Sequence, residues 1–490
     1  MLNRLPDAQW NYETAAHLLN RAAFSGTPTE IGSLVTAGQD AAIARLVDYE
    51  KIPDTTPAPD WAKPDPNRLE LQRQLRLATE EQRREMQKTI RIEETRQLLQ
   101  LRDWWLRRMA FGPRPLQEKL TLFWHGHFAT SIEKVKDPYL MWLQNETFRK
   151  NALGSWQKML VAVSKDPAML LWLDNARSTK NKPNENYARE VMELFSLGEG
   201  HYTEKDIKEA ARALTGWDLT PDRQAFRDVP YNHDVGDKVF LGLNGKLDGE
   251  DVIRQITKQS QTNLFMTARL WNFFAGEMPS PKLNEALADA FAENKQQFGP
   301  FLKVMFASEE FSSPRVRHIQ IKSPVQWLVS SCRLLERDLP PAPIANNMLR
   351  TLRQELFAPP NVKGWDGGIA WITTNSLLNR YNYAASLVEG TAPPPSATGA
   401  KKMEMMMDRM AENAAAGMGP ATIANLLPPG DLGNAQKVIA ALTSRFIQGP
   451  LKEQRAQALR DYIQSAPALN ESVLRQAVRL LMSTPDYQLA

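Results

Sequence analysis

The sequence predicts a mainly α-helical protein: a large irregular multi-helix domain with one or two short β-hairpins, followed by a small C-terminal helical unit. Two observations favour this fold class. Glycine accounts for only 25 of 490 residues, roughly 5% against a usual ~7%, which disfavours turn-rich all-β folds. Apolar residues also recur at helical spacing along most of the chain, as they do in amphipathic helices.

Residues 10 to 109 predict short helices, an extended connection and a long charged helix. Apolar residues at helical spacing indicate two short helices between residues 10 and 50. Prolines crowd residues 52 to 67 and predict an extended surface connection, because proline fixes φ and lacks a backbone donor. Neither Pro nor Gly occurs from Arg68 to Met109. That stretch predicts one long helix, or two joined helices, with a solvated charged face.

The middle of the chain predicts helices that end at identifiable residues. One helix begins at Pro113 and Pro115 and ends near the pentad WHGHF at residues 124–128. Gly126 makes a local departure from helix plausible there. A second helix runs from about Glu185 to Leu197 and is stopped by Gly198.

Further along, the pattern changes and then returns to helix. Thr203 with Asp206 is a capping-box pattern that predicts a helix over residues 204 to 215. Pro, Asp and Gly punctuate residues 220 to 248, where Val239-Phe240-Leu241 is the best β-hairpin candidate. Helical spacing resumes and continues to about residue 357.

Composition divides the chain into three parts. Residues 1–390 form the predicted large helical domain. Residues 391–402, TAPPPSATGAKK, have the composition of a linker. Residues 403–490 form a predicted C-terminal helical extension with amphipathic spacing.

Charge and cysteine content exclude several classes of protein. The formal net charge is only +4, and polyanion binding requires clustered positive charge, so nucleic acid is an unlikely partner. The single Cys332 excludes an intramolecular disulfide, a four-cysteine zinc site and an iron–sulfur cluster held by this chain. No stretch approaches the ~18 apolar residues that a membrane span needs. No secretory signal is visible in the sequence, which predicts a cytoplasmic protein.

Histidines are few and concentrated. Four of the six lie between residues 125 and 233, close to carboxylates. His125 and His127 are separated by one residue, and imidazole together with carboxylate suits zinc, iron or manganese. Because side chains two residues apart on a helix diverge, these rings converge only where the backbone leaves the helix.

The strongest polar pattern is the segment from Asn184 to Glu193. On a helix, Asn186, Glu190 and Glu193 share one face, and Glu185 lies beside Arg189. The opposite face is apolar and should be buried. Acidic side chains close to a core need a metal or a basic partner, and both explanations are open at this point.

These residues define the candidate site. The predicted metal ligands are His125, His127, Glu190, Glu193 and His233, with Glu185 and Arg189 as candidate catalytic residues. The groups expected to support and orient them are Asn186, Tyr187, His201 and Asp234. The leading hypothesis is a metal-dependent enzyme, hydrolytic or oxidative. The alternative is a non-catalytic helical scaffold or assembly protein that works with a partner protein, in which the same block is a structural network.

Several motifs together resemble the bacterial domain-of-unknown-function family 1800. The resemblance runs from about residue 10 to 385, and the tail LLMSTPDYQLA also matches the family's end. The motifs that carry it are LFWHGHFATS, DPAMLLWLDN, NENYAREVMELFSLGEGHYTEKDIKEAARALTGW, SPVQWLV and LFAPPNVKGWDGGIAWITT. The resemblance implies a large, mainly helical domain and no particular reaction. It also implies a partner from a sulfatase-like uncharacterised family that is often encoded nearby. Because members are often exported, it makes the periplasm the alternative location.

Overall fold

A computed structural model describes residues 2–393 and 418–490 of the chain. Within these residues the protein is mainly α-helical, and its strands form only two short two-stranded sheets. The predicted fold class is therefore confirmed. No helix in the described part of the chain is both long and apolar enough to cross a membrane.

The helices up to residue 213 form most of the framework around the predicted site. They are α1 (Tyr12–Ala22), α2 (Pro28–Ala37), α3 (Gln39–Val47), α4 (Arg68–Leu77), α5 (Glu80–Phe111), α6 (Pro115–His127), α7 (Ile132–Val135), α8 (Pro138–Asn151), α9 (Trp156–Ser164), α10 (Pro167–Trp172), α11 (Glu185–Glu193) and α12 (Glu204–Ala213).

The remaining helices follow the two sheets. They are α13 (Gly249–Lys258), α14 (Ser260–Ala275), α15 (Pro281–Glu293), α16 (Phe298–Phe306), α17 (Glu309–Ser312), α18 (Pro324–Leu334), α19 (Ala342–Thr351), α20 (Thr374–Glu389), α21 (Ala435–Phe446), α22 (Glu453–Ser465) and α23 (Glu471–Met482).

Two antiparallel hairpins lie between α12 and α13. In the first, β1 (Trp217–Leu219) pairs with β2 (Phe226–Asp228). In the second, β3 (Lys238–Phe240) pairs with β4 (Leu243–Gly245), and Val239 lies opposite Asn244. The hairpin predicted at Val239 is therefore present.

Local signals placed several helix ends correctly. The Thr203 hydroxyl accepts from the Asp206 backbone N–H at 3.2 Å, and the Asp206 carboxylate accepts from Thr203 N–H at 2.9 Å. These two hydrogen bonds close the capping box that begins α12. The charged stretch after Arg68 is two helices that meet at Ala78, where Thr79 caps α5.

Two hydrophobic cores lie on either side of α6. Leu116, Leu120 and Phe123 of this helix belong to the first core, which packs α1–α3 against α8–α16. Leu122 belongs to the second core, which contains α5, α18–α20 and the described C-terminal helices. Because α6 contributes to both, the segment that carries the two predicted histidine ligands is deeply enclosed.

The C-terminal helices share the second core with the main body. Val438 of α21, Leu459 of α22 and Leu474 of α23 pack in the same cluster as Trp327 of α18 and Leu387 of α20. Of the predicted linker at residues 391–402 and the extension after it, residues 394–417 lie outside the described part of the chain.

One local expectation is wrong. The backbone does not leave the helix between His125 and His127, because α6 continues through Gly126 to His127. A Cβ added at Gly126 would meet nothing within 4 Å, so this glycine introduces no break. The two imidazoles therefore leave the helix in different directions, as side chains two residues apart must.

Candidate functional site: the polar face of α11 and a cationic groove

The predicted polar block does form a helix with one buried face. The Asn184 side chain caps α11 by accepting from Asn186 N–H at 3.0 Å. Tyr187, Ala188, Val191 and Met192 face the first core and are buried. The acidic residues are consequently confined to the opposite face, as the spacing predicted.

Arg189 connects α11 to α12. Its guanidinium donates two hydrogen bonds to the Glu204 carboxylate, at 2.8 and 3.0 Å, and lies 3.8 Å from Glu185. These hydrogen bonds to the Glu204 carboxylate raise the pKa of Arg189. Glu204 is 68% exposed, and exposed ion pairs contribute only ~0.2–1 kcal/mol. Glu185 and Arg189 thus form a surface ion-pair network.

Glu190 and Glu193 lie half-buried beside each other. Glu193 accepts a hydrogen bond from the Tyr202 hydroxyl at 2.9 Å. In the described chain, Glu190 has neither an ion pair nor a side-chain hydrogen bond. Burial and the charge of Glu193 raise the pKa of Glu190, and Arg189 and Lys363 oppose that shift. Glu190 is therefore the least satisfied carboxylate of the block.

His125 is held in an aromatic cage. Its Nε2 accepts a hydrogen bond from the Phe357 backbone N–H at 3.0 Å. The ring centroids of Trp105, Phe357 and Trp365 lie 5.4, 5.3 and 5.4 Å from that of the imidazole. Burial and the nearby Arg102 lower the pKa of His125 to about 3. The imidazole is therefore neutral, and its Nε2 lone pair is already used.

His127 faces different neighbours. Its Nε2 lies 3.0 Å from the Phe195 carbonyl oxygen, so this nitrogen must carry the proton and donate it. The imidazole stacks on Phe123 at 5.7 Å and meets Phe128 edge-on at 4.7 Å. Burial away from solvent, together with the positive charge of Arg269, lowers the pKa of His127 to about 3. The hydrogen bond from His127 to Phe195 joins the end of α6 to the turn that follows α11.

The other predicted residues occupy separate structural positions. His233 Nδ1 lies 2.9 Å from the Thr215 carbonyl oxygen, and the neighbouring Asp234 accepts from Arg212 Nε at 2.7 Å. The Tyr187 hydroxyl donates to Ser164, and Asn186 Nδ2 donates to the Leu173 carbonyl at 3.3 Å. His201 is exposed in the turn before α12.

The five predicted ligands do not converge. Among residues 2–393 and 418–490, no group of three or more His, Cys, Asp or Glu side chains is placed to hold a metal ion. The Nε2 atoms of His125 and His127 are both engaged with backbone groups on different segments. The predicted ligands therefore form no common metal site among the described residues.

The loop at residues 363–368 also packs against α6, a contact that no local sequence pattern predicts. Gly364 has φ +82°, and a Cβ added there would lie 2.3 Å from the Gly126 carbonyl oxygen. Only glycine allows this approach. The preceding Lys363 lies within electrostatic range of Glu190. The loop at residues 363–368, the end of α6 and α11 thus meet at one place.

A large groove lies elsewhere, between the α4–α5 arm and the body. It is a groove of about 1360 Å³. Its walls are the 61–68 connection, α4, the α5 segment from Thr89 to Gln97, the Lys134–Leu140 turn and the β1–β2 hairpin. Leu71, Leu75, Ile90, Tyr139 and Leu171 line it and are only partly buried. The groove therefore presents open apolar surface.

The groove also has an excess of free positive charge. Its lining holds eight lysines and arginines against six aspartates and glutamates. Three of these acidic residues, Asp137, Asp174 and Asp218, pair with Arg68, Lys134 and Arg227. Burial and the charge of Asp137 raise the pKa of Glu94. Five exposed cations have no ion pair or side-chain hydrogen bond to any described residue: Lys63, Arg76, Lys136, Arg177 and Arg223.

Three of the twelve described non-glycine residues with positive φ line the same groove. Lys136, Asp174 and Arg223 have φ values of +54°, +59° and +61°, in the left-handed region that non-glycine residues rarely adopt. Such conformations persist where the surrounding structure enforces them, and they are common at binding sites. Two of these residues, Lys136 and Arg223, are unpaired cations among the described residues, so the backbone conformation fixes the direction of their side chains.

Comparison with protein-family models identifies the chain. A model described as a protein of unknown function, DUF1800, matches residues 17–489. The chain belongs to this family. Comparison with curated proteins and with solved structures gave no match. The resemblance drawn from the sequence motifs is confirmed, and the DUF1800 match extends through the C-terminal helices that share the second core.

Sequence reasoning missed the groove in this DUF1800 chain. Residues 68 to 109 predict a solvated charged face, because positive and negative side chains alternate along them. Two sequence features contribute to the groove: the basic residues Lys136, Arg177 and Arg223 in polar turns, and the narrow apolar stripe of the helical stretch after Arg68. Nothing in the spacing shows that these turns face that stripe.

Proposed function

We propose that this protein is a non-catalytic binding protein that holds a segment of a partner protein in the groove between the α4–α5 arm and the body. The observation that supports this function is the combination, in one groove, of open apolar surface and five free cations. It corresponds to the scaffold or assembly alternative drawn from the sequence.

The size of the groove favours a macromolecular segment. Small-molecule pockets measure about 300–1,000 Å³ and enclose their ligand. A groove of about 1360 Å³ with one wall formed by two helices is larger and more open. An α-helix with side chains is roughly 10–12 Å across, and a helix lying in a groove is a common mode of peptide recognition.

The chemistry of the groove indicates which face such a helix must have. Leu71, Leu75 and Ile90 would receive its apolar side chains. Arg76, Arg177 and the other free cations would face acidic side chains and accelerate association. The occupant we propose is an amphipathic, acidic helical segment of another protein. The sulfatase-like family implied by the sequence resemblance is the first partner to test.

The first prediction concerns binding of such a segment. The probe is a fluorescein-labelled amphipathic peptide with leucines on one face and glutamates on the other, followed by fluorescence anisotropy. The double variant Arg76→Glu/Arg177→Glu should bind at least about tenfold more weakly than wild type, because attraction becomes repulsion. Leu75→Ser should weaken binding as well, because it removes apolar contact.

The matched control changes the same charge elsewhere. Lys258 and Lys282 are exposed, carry no ion pair with any described residue and lie outside the groove. Lys258→Glu/Lys282→Glu should bind the peptide like wild type. Equal loss in both double variants would show a general charge effect and contradict the proposal. Preferential binding of a labelled DNA or RNA strand at the groove would replace the protein partner with nucleic acid.

A divalent metal, whether zinc, iron or manganese, stays a prediction from the sequence. The feature that favours it is Glu190, a half-buried carboxylate without a described partner beside Glu193. The second prediction compares elemental analysis of purified wild type with the His127→Ala variant. Because the imidazoles bond to backbone groups, we expect equal metal content far below one ion per chain. A stoichiometric metal that His127→Ala removes would support the hydrolytic or oxidative enzyme instead.

A further inference from the structure

Buried cations fall into two groups in this protein. Among the described residues, nine lysines and arginines are buried. Five of them lie no more than 4.0 Å from a carboxylate oxygen: Arg102, Arg108, Arg149, Lys238 and Arg445. The other four have no carboxylate partner among the described residues: Arg21, Lys119, Lys322 and Arg380.

Arg21 and Lys119 are satisfied only by neutral groups. Arg21 donates to the carbonyl oxygens of Phe274 and Val316, and its Nε has no acceptor. Lys119 Nζ donates to Gln326 Oε1 at 2.6 Å and lies over the Phe24 ring at 5.1 Å. These contacts satisfy hydrogen bonds but leave two positive charges without an opposite charge.

Lys322 and Arg380 are less satisfied still. Lys322 Nζ lies 4.1 Å from the centre of the Tyr487 ring and has no hydrogen-bond acceptor in the described chain. Arg380 donates to the Lys322 carbonyl at 2.8 Å and to Gln488 Oε1 at 3.2 Å, and its Nε is unpaired. Free donor capacity therefore remains on both side chains.

The four cations repel each other in two pairs. Arg21 repels Lys119, Arg380 repels Lys322, and His318 is repelled by both Arg21 and Lys322. Glu13 is the carboxylate that acts on His318, but it is 56% exposed and pairs with Arg317. The interior between α1 and α20 consequently carries a positive potential.

The residue before Lys119 shows how the same helix compensates charge elsewhere. Glu118 accepts from Arg108 at 2.9 Å and from Arg149 at 2.8 Å. An uncompensated buried ion is costly, and an arginine cannot lose its proton to avoid that cost. An opposite charge is thus expected near Arg380 that the chain itself does not supply among its described residues.

We infer that Lys322 and Arg380 bind a small inorganic anion, of the size of chloride or phosphate. The anion accepts from Lys322 Nζ and Arg380 Nε, the donors that lack an acceptor. It neutralises the charge between the 313–323 segment, α20 and the C-terminal segment that carries Tyr487. Its role is to stabilise the packing of the second core, independently of the groove.

The test measures thermal unfolding in buffers of equal ionic strength. The buffer anion is chloride or phosphate, and the bulky organic anion gluconate serves as the reference. Wild type should unfold several degrees higher in chloride or phosphate than in gluconate, because an anion that binds only the folded state stabilises it. The difference between chloride and phosphate identifies the preferred anion.

Variants separate this site from general salt effects. Lys322→Met and Arg380→Met should lose the dependence on the anion, whereas the surface control Lys258→Met should keep it. An equal rise in wild type and Lys322→Met would overturn the inference. Should either variant fail to fold, wild-type crystals decide, soaked in bromide if chloride gave the larger stabilisation and in phosphate if phosphate did. Density for that anion beside Lys322 Nζ supports the site, and its absence rejects it.

Discussion

Glu118→Gln is expected to lower the free energy of unfolding by about 3 kcal/mol, as loss of one partner from a buried ion pair does. Glu118 is 1% exposed and accepts hydrogen bonds from Arg108, Arg149 and Trp105. Burial alone would raise its pKa, but Arg149 and Arg108 outweigh that effect and lower the pKa of Glu118. The variant keeps the shape of the side chain and removes its charge.

The physical reason is the charge left behind. Arg108 keeps Asp54 and Arg149 keeps Glu146, but both guanidiniums lose the carboxylate that lies between them. Urea unfolding, followed by tryptophan fluorescence, measures the change. Glu133→Gln is the control, since Glu133 is exposed and makes no side-chain contact among the described residues; it should change stability by less than about 0.5 kcal/mol. Equal stability of the two variants would show that the Glu118 network is dispensable.

Lys322→Met should change how stability depends on pH. Burial, aided by Arg380, lowers the pKa of Lys322 from 10.5 to about 7. Between about pH 7 and pH 10 the unfolded chain therefore binds one proton more than the folded chain at this residue. Stability contributed by Lys322 rises across that window, with a slope of about 1.4 kcal/mol per pH unit. Below pH 7 both states are protonated and the folded state carries the full cost of the buried charge.

The measurement is the difference between wild type and Lys322→Met in gluconate buffer. The variant should be more stable at pH 7, and its advantage should shrink towards pH 10 as the wild-type lysine becomes neutral in both states. Chloride or phosphate should reduce the difference at pH 7, if the anion site is correct. Two parallel stability curves would mean that Lys322 stays protonated throughout and would contradict the expected window.

Helix positions were predictable where the signals are local. Thr203 and Asp206 satisfy each other's backbone donors whatever lies around them, so the start of α12 could be found from four residues. The polar and apolar faces of α11 follow from 3.6 residues per turn. The hairpin at Val239 follows from its flanking turn residues. None of these needs a distant partner.

Gly126 shows where local reasoning failed. A glycine between two histidines was interpreted as a break in the helix, because glycine is a weak helix former. In the structure the helix continues, since α6 is packed on both sides by apolar cores that stabilise it. The glycine that the packing requires is Gly364, because a Cβ on that residue would lie 2.3 Å from the Gly126 carbonyl oxygen. That neighbour is more than 200 residues away, so no local pattern announces it.

The histidines show the same limit. Their residue type and spacing were compatible with metal ligation, but the partner of each imidazole is a backbone group on a distant segment, Phe357 for His125 and Phe195 for His127. The sequence contains these partners without any mark that distinguishes them.

The amino-acid sequence was sufficient for the helical class, the family and several helix ends, because periodicity, capping and motif order are short-range properties of the chain. Which polar side chains meet was decided only by tertiary packing. Long-range packing brings the turns at Lys136 and Arg223 opposite α4, and it buries Lys322 and Arg380 together. The energy of a charged group depends on its burial and its neighbours, and both are set by contacts between residues far apart in the chain.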